Sequence, residues 1–262
     1  MNKRARSRKG SPQLREYLVI GKNSVAELLR YSGDRVREIY VESDAAEDVI
    51  RELTPASLRI PTKKLARTEL DKRCGSTSHQ GVVALCSKPP FSELSAKEFF
   101  SQQVKHQTSV IVALDGVSDP QNLGSVLRAA ECFGAHAVLF PKDRGALVTP
   151  TVTKVSAGAS EVVPWYAVSN LADWLQHAKD SGYWIVATTV GEEAQDLFAF
   201  DWPEKSIIVM GAEGKGIRLL TAKRADFFVT IPMSGRVDSL NISQAAAVVL
   251  ASYRAKFAHS EE

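Results

Sequence analysis

A glycine-rich segment, residues 211–216, has Glu213 and Lys215 between its glycines and follows an apolar run. A Walker phosphate loop requires the pattern G-x-x-x-x-G-K followed by Ser or Thr, but here Lys215 is followed by Gly216. The dinucleotide pattern G-x-G-x-x-G is not met either, because the glycine order is reversed. The glycines therefore predict a tight backbone turn or a close approach to another group, and they do not predict a phosphate site.

A second polar segment, residues 115–122, follows another apolar run and precedes a helical pattern. Asn122 is a favourable residue type for capping that helix. Arg128 lies further along the same helix, three residues before Glu131. Taken alone, this spacing predicts an ion pair on a solvated helix surface.

A third polar segment alternates Ser239, Asn241 and Ser243 directly before the helical pattern of residues 244–257. Any of the three side chains can cap this helix. Three hydroxyl or amide side chains within five residues exceed the needs of one cap. The segment therefore predicts a polar site at the helix N-terminus.

The elements that must position these segments alternate between two patterns. Helical patterns lie between apolar, strand-like runs, and the runs occupy residues 109–115, 135–140, 184–190, 206–211 and 227–232. Near-continuous apolar strands that alternate with amphipathic helices predict an α/β fold with a mostly parallel sheet covered by helices on both faces. Ligands of such sheets bind at the carboxyl ends of the strands, and all three polar segments follow strand-like runs.

The chain is predicted to divide into four parts. Residues 1–16 form a basic tail that we expect to be disordered, either attracted to polyanions or simply solvated. Residues 17–88 have the pattern of a small α/β domain, and residues 108–262 form the domain with the parallel sheet. A linker is predicted at residues 89–107, because Pro89 and Pro90 disfavour both a helix and a central strand.

The composition is that of an ordinary globular protein, with 44% hydrophobic residues, 24% charged residues and a net charge of +3. No apolar run approaches the ~18 residues of a membrane span, and no secretory signal pattern is present. Cys74, Cys86 and Cys132 are isolated and lack C-x-x-C spacing. We therefore expect no metal site, no membrane partner and a reducing, cytoplasmic setting.

Three longer segments carry a family resemblance. The stretches "LDGVSDPQNLGSVLRAAECFGAHAVLF", "IIVMGAEGKGI" and "IPMSGRVDSLNISQAAAVVL" resemble, in order and spacing, the three motifs of the SpoU–TrmH branch of the SPOUT RNA methyltransferases. The stretch from "VIGKNSVAELL" to "SHQGVVAL" resembles the substrate-binding domain that precedes the catalytic domain in the ribosomal RNA ribose methyltransferases of this family. The resemblance implies a deep trefoil knot in the larger domain and a ribosomal-protein-like RNA-binding fold in the smaller one. It also implies a homodimer that transfers a methyl group from S-adenosylmethionine to a ribose 2′-hydroxyl of RNA.

The same motif matching implies the site residues. The residues implied at the reaction centre are Asn122, Arg128, Glu213, Ser239 and Asn241, and those implied to contact the cofactor are Gly211, Ile231 and Leu240. The methyl group of a sulfonium is already activated, so no metal is expected. Arg128 either accepts the hydroxyl proton or clamps the substrate phosphate, and a guanidinium is an awkward base because it stays protonated in proteins.

Alternatives remain at the level of substrate and activity. Ribosomal RNA is favoured over tRNA because of the smaller domain. A non-catalytic RNA-binding paralogue is the second hypothesis, although such a protein is expected to lose at least one of the reaction-centre residues. A Rossmann-type oxidoreductase is disfavoured by the missing glycine pattern. The third motif also departs from the common family pattern at Arg236, Asp238 and Gln244, which leaves the exact target open.

Overall fold

The structure is a computed structural model. It describes residues 17–87, 94–143, 146–191, 194–212, 214, 216–236 and 239–257. Within these residues the strands form two separate sheets, one of four strands and one of seven. No helix in the described part of the chain is both long and apolar enough to cross a membrane.

The smaller sheet has the strand order β1-β4-β2-β3. Its elements are β1 (Tyr17–Ile20), α1 (Lys22–Ser32), β2 (Val36–Val41), α2 (Asp44–Leu53), β3 (Thr62–Lys64), α3 (Arg67–Cys74) and β4 (Val82–Cys86). Strand β4 is antiparallel to both β1 and β2, whereas β3 is parallel to β2. The N-terminal region is therefore an α/β unit, as the sequence predicts.

The larger sheet has the strand order β7-β6-β5-β10-β8-β11-β9, and each adjacent pair of strands is parallel. Its strands are β5 (Ser109–Asp115), β6 (Ala137–Pro141), β7 (Trp165–Val168), β8 (Trp184–Thr188), β9 (Gln195–Asp196), β10 (Lys205–Gly211) and β11 (Phe227–Thr230). Its helices are α4 (Ala96–Gln103), α5 (Pro120–Cys132), α6 (Pro150–Val155), α7 (Ala159–Val162), α8 (Leu171–Asp180), α9 (Leu219–Ala222) and α10 (Ile242–Phe257). The predicted parallel α/β fold is confirmed.

Alternate residues of each central strand enter different cores, because successive side chains of a strand point to opposite faces. In β5, Val110 and Val112 join the core that includes α5 and α10, and Ile111 joins the core that includes α4 and α8. Both faces of the sheet are therefore covered by helices, which explains why its strands are apolar without alternation.

Helix α4 lies inside residues 89–107, the segment predicted to be a linker. Phe99 and Phe100 of this helix are buried, and the Phe99 ring lies 5.0 Å from the ring of Tyr166 in β7. Ser95 and Glu98 form a capping box at its start. Residues 96–103 therefore belong to the body of the larger domain, because their aromatic side chains complete one of its cores.

Candidate functional site

A cavity of about 450 Å³ lies at the carboxyl ends of β8, β10 and β11, beside the start of α10. Its described lining residues carry no charge, and they are Thr188, Thr189, Val190, Met210, Gly211, Ala212, Gly214, Gly216, Thr230, Ile231, Met233, Ser239, Leu240, Ile242 and Ala245. This size falls within the roughly 300–1,000 Å³ of small-molecule sites. The lining combines apolar side chains with the hydroxyl groups of threonine and serine.

The loop after β10 turns back on itself. Ala212 and Gly216 pair across it, with N···O distances of 3.0 Å and 2.9 Å. A Cβ atom at Gly211 would lie 2.3 Å from the carbonyl carbon of Gly216, which no real structure tolerates. The family resemblance implies that Gly211 lets the backbone approach a cofactor. The structure adds another reason for glycine at this position, which is the close approach of the loop itself.

Asp115 anchors the far side of this loop, a role that no sequence motif predicts. It ends β5, is almost fully buried, and accepts hydrogen bonds from the Arg218 backbone N at 2.8 Å and from Arg218 Nε at 2.6 Å. The Nη2 atom of Arg218 also contacts the same carboxylate. The sequence feature that indicates this role is an acidic residue at the end of an otherwise apolar strand, because a buried carboxylate needs partners.

Two of the predicted reaction-centre residues contact each other directly. Asn241 Nδ2 donates a hydrogen bond of 2.9 Å to Asn122 Oδ1. Asn241 Oδ1 accepts a hydrogen bond of 2.8 Å from the backbone N of Ser243 and so caps α10. Asn241 is one of the three residues that the sequence allows as this cap. The bond joins the first turn of α5 to the start of α10, although the two residues are 119 positions apart.

The prediction that Asn122 caps α5 is wrong. The helix begins at Pro120, and its cap is Asp119, which accepts a hydrogen bond of 2.9 Å from the backbone N of Gln121. Proline at the first helical position has no backbone N–H to satisfy and so favours this earlier start. Asn122 therefore lies inside the first turn, and its side-chain oxygen meets Asn241.

The remaining predicted residues fall into three groups. Ser239, Ile231 and Leu240 line the cavity together with Gly211. Arg128 is exposed on α5 and does not line the cavity, and it forms no ion pair with Glu131 within the described part of the chain. Glu213 lies outside the described residues. No group of three or more His, Cys, Asp or Glu side chains suitable for a metal occurs among the residues that the structure describes.

Comparison with known proteins identifies the family. Residues 109–251 match the SpoU rRNA Methylase family, and residues 18–92 match the domain described as "RNA 2'-O ribose methyltransferase substrate binding". The chain is 40% identical over 235 residues to the 23S rRNA (guanosine-2'-O-)-methyltransferase RlmB of Pseudomonas putida, covering 88% of this chain and 93% of that protein. The RlmB protein of Vibrio vulnificus is 36% identical, with coverages of 88% and 94%.

Solved structures agree in fold. A crystal structure of an RNA 2'-O ribose methyltransferase superimposes with a TM-score of 0.73 and 26% identity, covering 92% of this chain and 89% of that one. The SpoU methyltransferase AviRb from Streptomyces viridochromogenes, solved with AdoMet, superimposes with a TM-score of 0.74 at 23% identity, covering 94% and 91% of the two chains. The two matched domains, the level of identity and the shared fold together place the chain in the SpoU rRNA methylase family.

Proposed function

We propose that this protein transfers a methyl group from S-adenosylmethionine to the ribose 2′-hydroxyl of a guanosine in 23S ribosomal RNA. The observation that carries the proposal is the position of the cavity. It adjoins the Asn122–Asn241 contact, because Leu240 and Ile242 on either side of Asn241 both line it. The identity of 40% to an RlmB protein supports both the reaction and the RNA substrate.

The cavity residues fit the methyl donor. Its described lining, which carries no charge, accepts an adenosine, and Ile231, Leu240 and Ser239 all belong to this lining. When bound, S-adenosylmethionine supplies a methyl group already activated by a sulfonium. The protein's own part is to exclude water, to hold the ribose hydroxyl in line and to manage its proton.

Each reaction-centre residue has a proposed role. Asn122 and Asn241 orient the ribose through their amide groups, and Ser239 forms part of the cavity wall. Arg128 clamps an RNA phosphate and stabilises the developing alkoxide, a role that suits a guanidinium better than accepting a proton. Glu213 is the fifth residue of the proposed reaction centre.

The proposed partners are ribosomal RNA and a second copy of the chain in the cytoplasm. The smaller domain, residues 17–88, binds the RNA. Support for a homodimer comes from Leu219 and Leu220, which follow the cavity loop and expose 70% and 71% of their surface. Light scattering on the full chain at micromolar concentration tests the dimer, and a monomer mass contradicts it.

A methylation assay tests the function. The full chain is incubated with radiolabelled S-adenosylmethionine and either 23S ribosomal RNA or tRNA from cells lacking the enzyme. We expect label in 23S RNA at a site that resists alkaline cleavage, because a 2′-O-methyl group blocks the attack of that oxygen on the phosphate. Label in tRNA alone favours the tRNA alternative. RNA binding without methyl transfer favours the non-catalytic paralogue.

A further inference from the structure

The two domains share an extended interface on the side of α6 and α7. Strand β1 is an edge of the smaller sheet, and Thr153 of α6 covers it. The backbone N of Ile20 donates to Thr153 Oγ1 at 3.4 Å, and Ser24 Oγ donates to the Thr153 carbonyl at 2.9 Å. One buried apolar cluster runs through both domains, including Val19 and Val152. The domains therefore pack as one unit and do not merely share a connecting segment.

A buried ion pair lies at the centre of this interface. Arg35, just before β2, contacts Glu161 of α7 with an Nη2···Oε2 distance of 3.0 Å, and their side chains are 9% and 0% exposed. Tyr17 of β1 donates a hydrogen bond of 2.7 Å to Glu161 Oε1, and Ser160 donates one of 2.9 Å to the same atom. Arg35 also donates to the Ser87 carbonyl at 2.9 Å. The Glu161 carboxylate of the larger domain therefore binds both Arg35 and Tyr17 of the smaller domain.

The charge of Arg35 and the hydroxyl of Tyr17 both depend on Glu161 for a partner. Glu161 compensates the Arg35 charge through this ion pair. Within the described chain, Nε and Nη1 of Arg35 and Oε2 of Glu161 are buried without a hydrogen-bond partner. Burial, and next the neighbouring Glu161, raise the pKa of Tyr17 well above its ordinary value and keep its hydroxyl a donor. Separating the domains would leave each of the two charges without its partner.

The backbone beside Glu161 is shaped for this contact. Ala157 has a φ of 52° and Gly158 a φ of 98°, both in the left-handed region. A Cβ atom at Gly158 would lie 2.4 Å from Cβ of Glu27 in α1. Glycine is therefore required for the close approach of the smaller domain, and Ala157 holds a conformation that is strained for its residue type.

We infer that Glu161, with Arg35 and Tyr17, is a positioning centre that fixes the orientation of the RNA-binding domain relative to the methyl-transfer cavity. This inference rests on the proposed function. The physical path is short, because α7 and α6 both pack on α5, the helix of Asn122 and Arg128. A ribose delivered by RNA on the smaller domain must meet the reaction centre within about 1 Å, and such a displacement can reduce the rate by ~100-fold.

The experiment measures domain orientation and activity in the same variants of the full chain. Spin labels are placed on the exposed native Cys132 and on an Asp48→Cys substitution in α2, since Cys74 and Cys86 are buried. Labelled chains are diluted with unlabelled protein so that pulsed electron paramagnetic resonance reports distances within one chain. The variants are Glu161→Gln and Tyr17→Phe, with Asp201→Asn as a control, because Asp201 belongs to an exposed ion pair.

We expect one narrow distance distribution in the unsubstituted protein and in the control, and a broadened one in Glu161→Gln. The kcat/KM for 23S RNA should fall by ~10-fold or more in that variant, while the Kd for S-adenosylmethionine stays within about twofold. Tyr17→Phe removes only one hydroxyl and should show a smaller change of the same kind, which keeps the test valid if Glu161→Gln fails to fold.

Narrow distances together with unchanged kcat/KM in the Glu161 variant, or in Tyr17→Phe where Glu161→Gln does not fold, would overturn the inference. An equal loss of cofactor affinity and RNA methylation would also contradict it, because a purely structural role lowers both. If the unsubstituted protein methylates no RNA, the proposed function fails. The distance distributions then still decide whether Glu161 fixes the domains.

Discussion

At the scale of single residues, Arg128 should contribute to methyl transfer but not to cofactor binding. It is exposed on α5 and lies outside the cavity lining. We expect Arg128→Ala and Arg128→Lys to reduce single-turnover methyl transfer by ~100-fold or more, because lysine keeps the charge but loses the planar bidentate fork. The Kd for S-adenosylmethionine, measured by calorimetry, should change by less than about twofold.

The neighbouring Glu131→Ala serves as the control for Arg128, since Glu131 is exposed on the same helix. It should methylate RNA at the normal rate. Near-normal turnover in Arg128→Ala would refute the proposed reaction centre, even if the protein proved to be a methyltransferase.

Gly211 gives a second prediction at this scale. A methyl group there collides with the Gly216–Ile217 peptide at 2.3–2.7 Å. Gly211→Ala should therefore open the cavity loop and weaken S-adenosylmethionine binding by ~10-fold or more, a cost of over 1.4 kcal/mol, within the range that overpacking produces. Gly235→Ala is the matched control, because no atom of the described residues lies within 4 Å of its Cβ position. Equal calorimetric affinities for the two variants would show that the loop tolerates the methyl group.

At the scale of elements, α4 joins the core of the larger domain through its aromatic side chains. Phe99 is 1% exposed and contacts the rings of Tyr166 and Trp174 at 5.0 Å and 6.0 Å. Phe99→Ala should lower the free energy of unfolding by about 3–5 kcal/mol, because it removes apolar burial and leaves a cavity. Urea unfolding measures the change. The exposed Lys97→Ala should change it by about 0.5 kcal/mol or less, and a similar value for Phe99→Ala would mean that α4 does not pack on the sheet.

At the scale of the whole molecule, buried tyrosines and a buried thiol link stability to alkaline pH. Burial raises the pKa of Tyr166 to about 12 and that of Cys86 to about 12, and it also raises the pKa of Tyr183. Their unfolded values are about 10 for tyrosine and 8.5 for cysteine. The unfolded chain therefore loses these protons first, and the free energy of unfolding should fall as pH rises from about 8.5 towards 12.

The predicted slope is testable with one variant. Each such group contributes a slope of up to about 1.4 kcal/mol per pH unit between its unfolded and folded pKa values. Urea unfolding at several pH values from 8 to 11, with tyrosinate absorbance as a second signal, measures the loss. Tyr166→Phe should show a shallower decline above pH 10 than the unsubstituted protein. Parallel declines in the two proteins would mean that Tyr166 ionises as readily when folded as when unfolded.

Local patterns in the sequence predict much of this molecule. Apolar runs predict β5, β8 and β10, and the polar segments that follow strands predict a site at the carboxyl edge, where the cavity lies. These features depend on the side-chain period of a strand and on the alternation of strands with helices, and both can be seen in short stretches of the sequence. The trefoil knot, which the family resemblance implies, stays a prediction.

Tertiary structure alone decided the contacts between distant segments. The bond between Asn122 and Asn241, the burial of Asp115 against Arg218, and the ion pair of Arg35 with Glu161 join residues far apart in the chain. No sequence pattern predicts the short strands β7 and β9 or the packing of α4. No local pattern records such pairings, because the free energy of a buried charge or amide depends on which partner the fold brings to it.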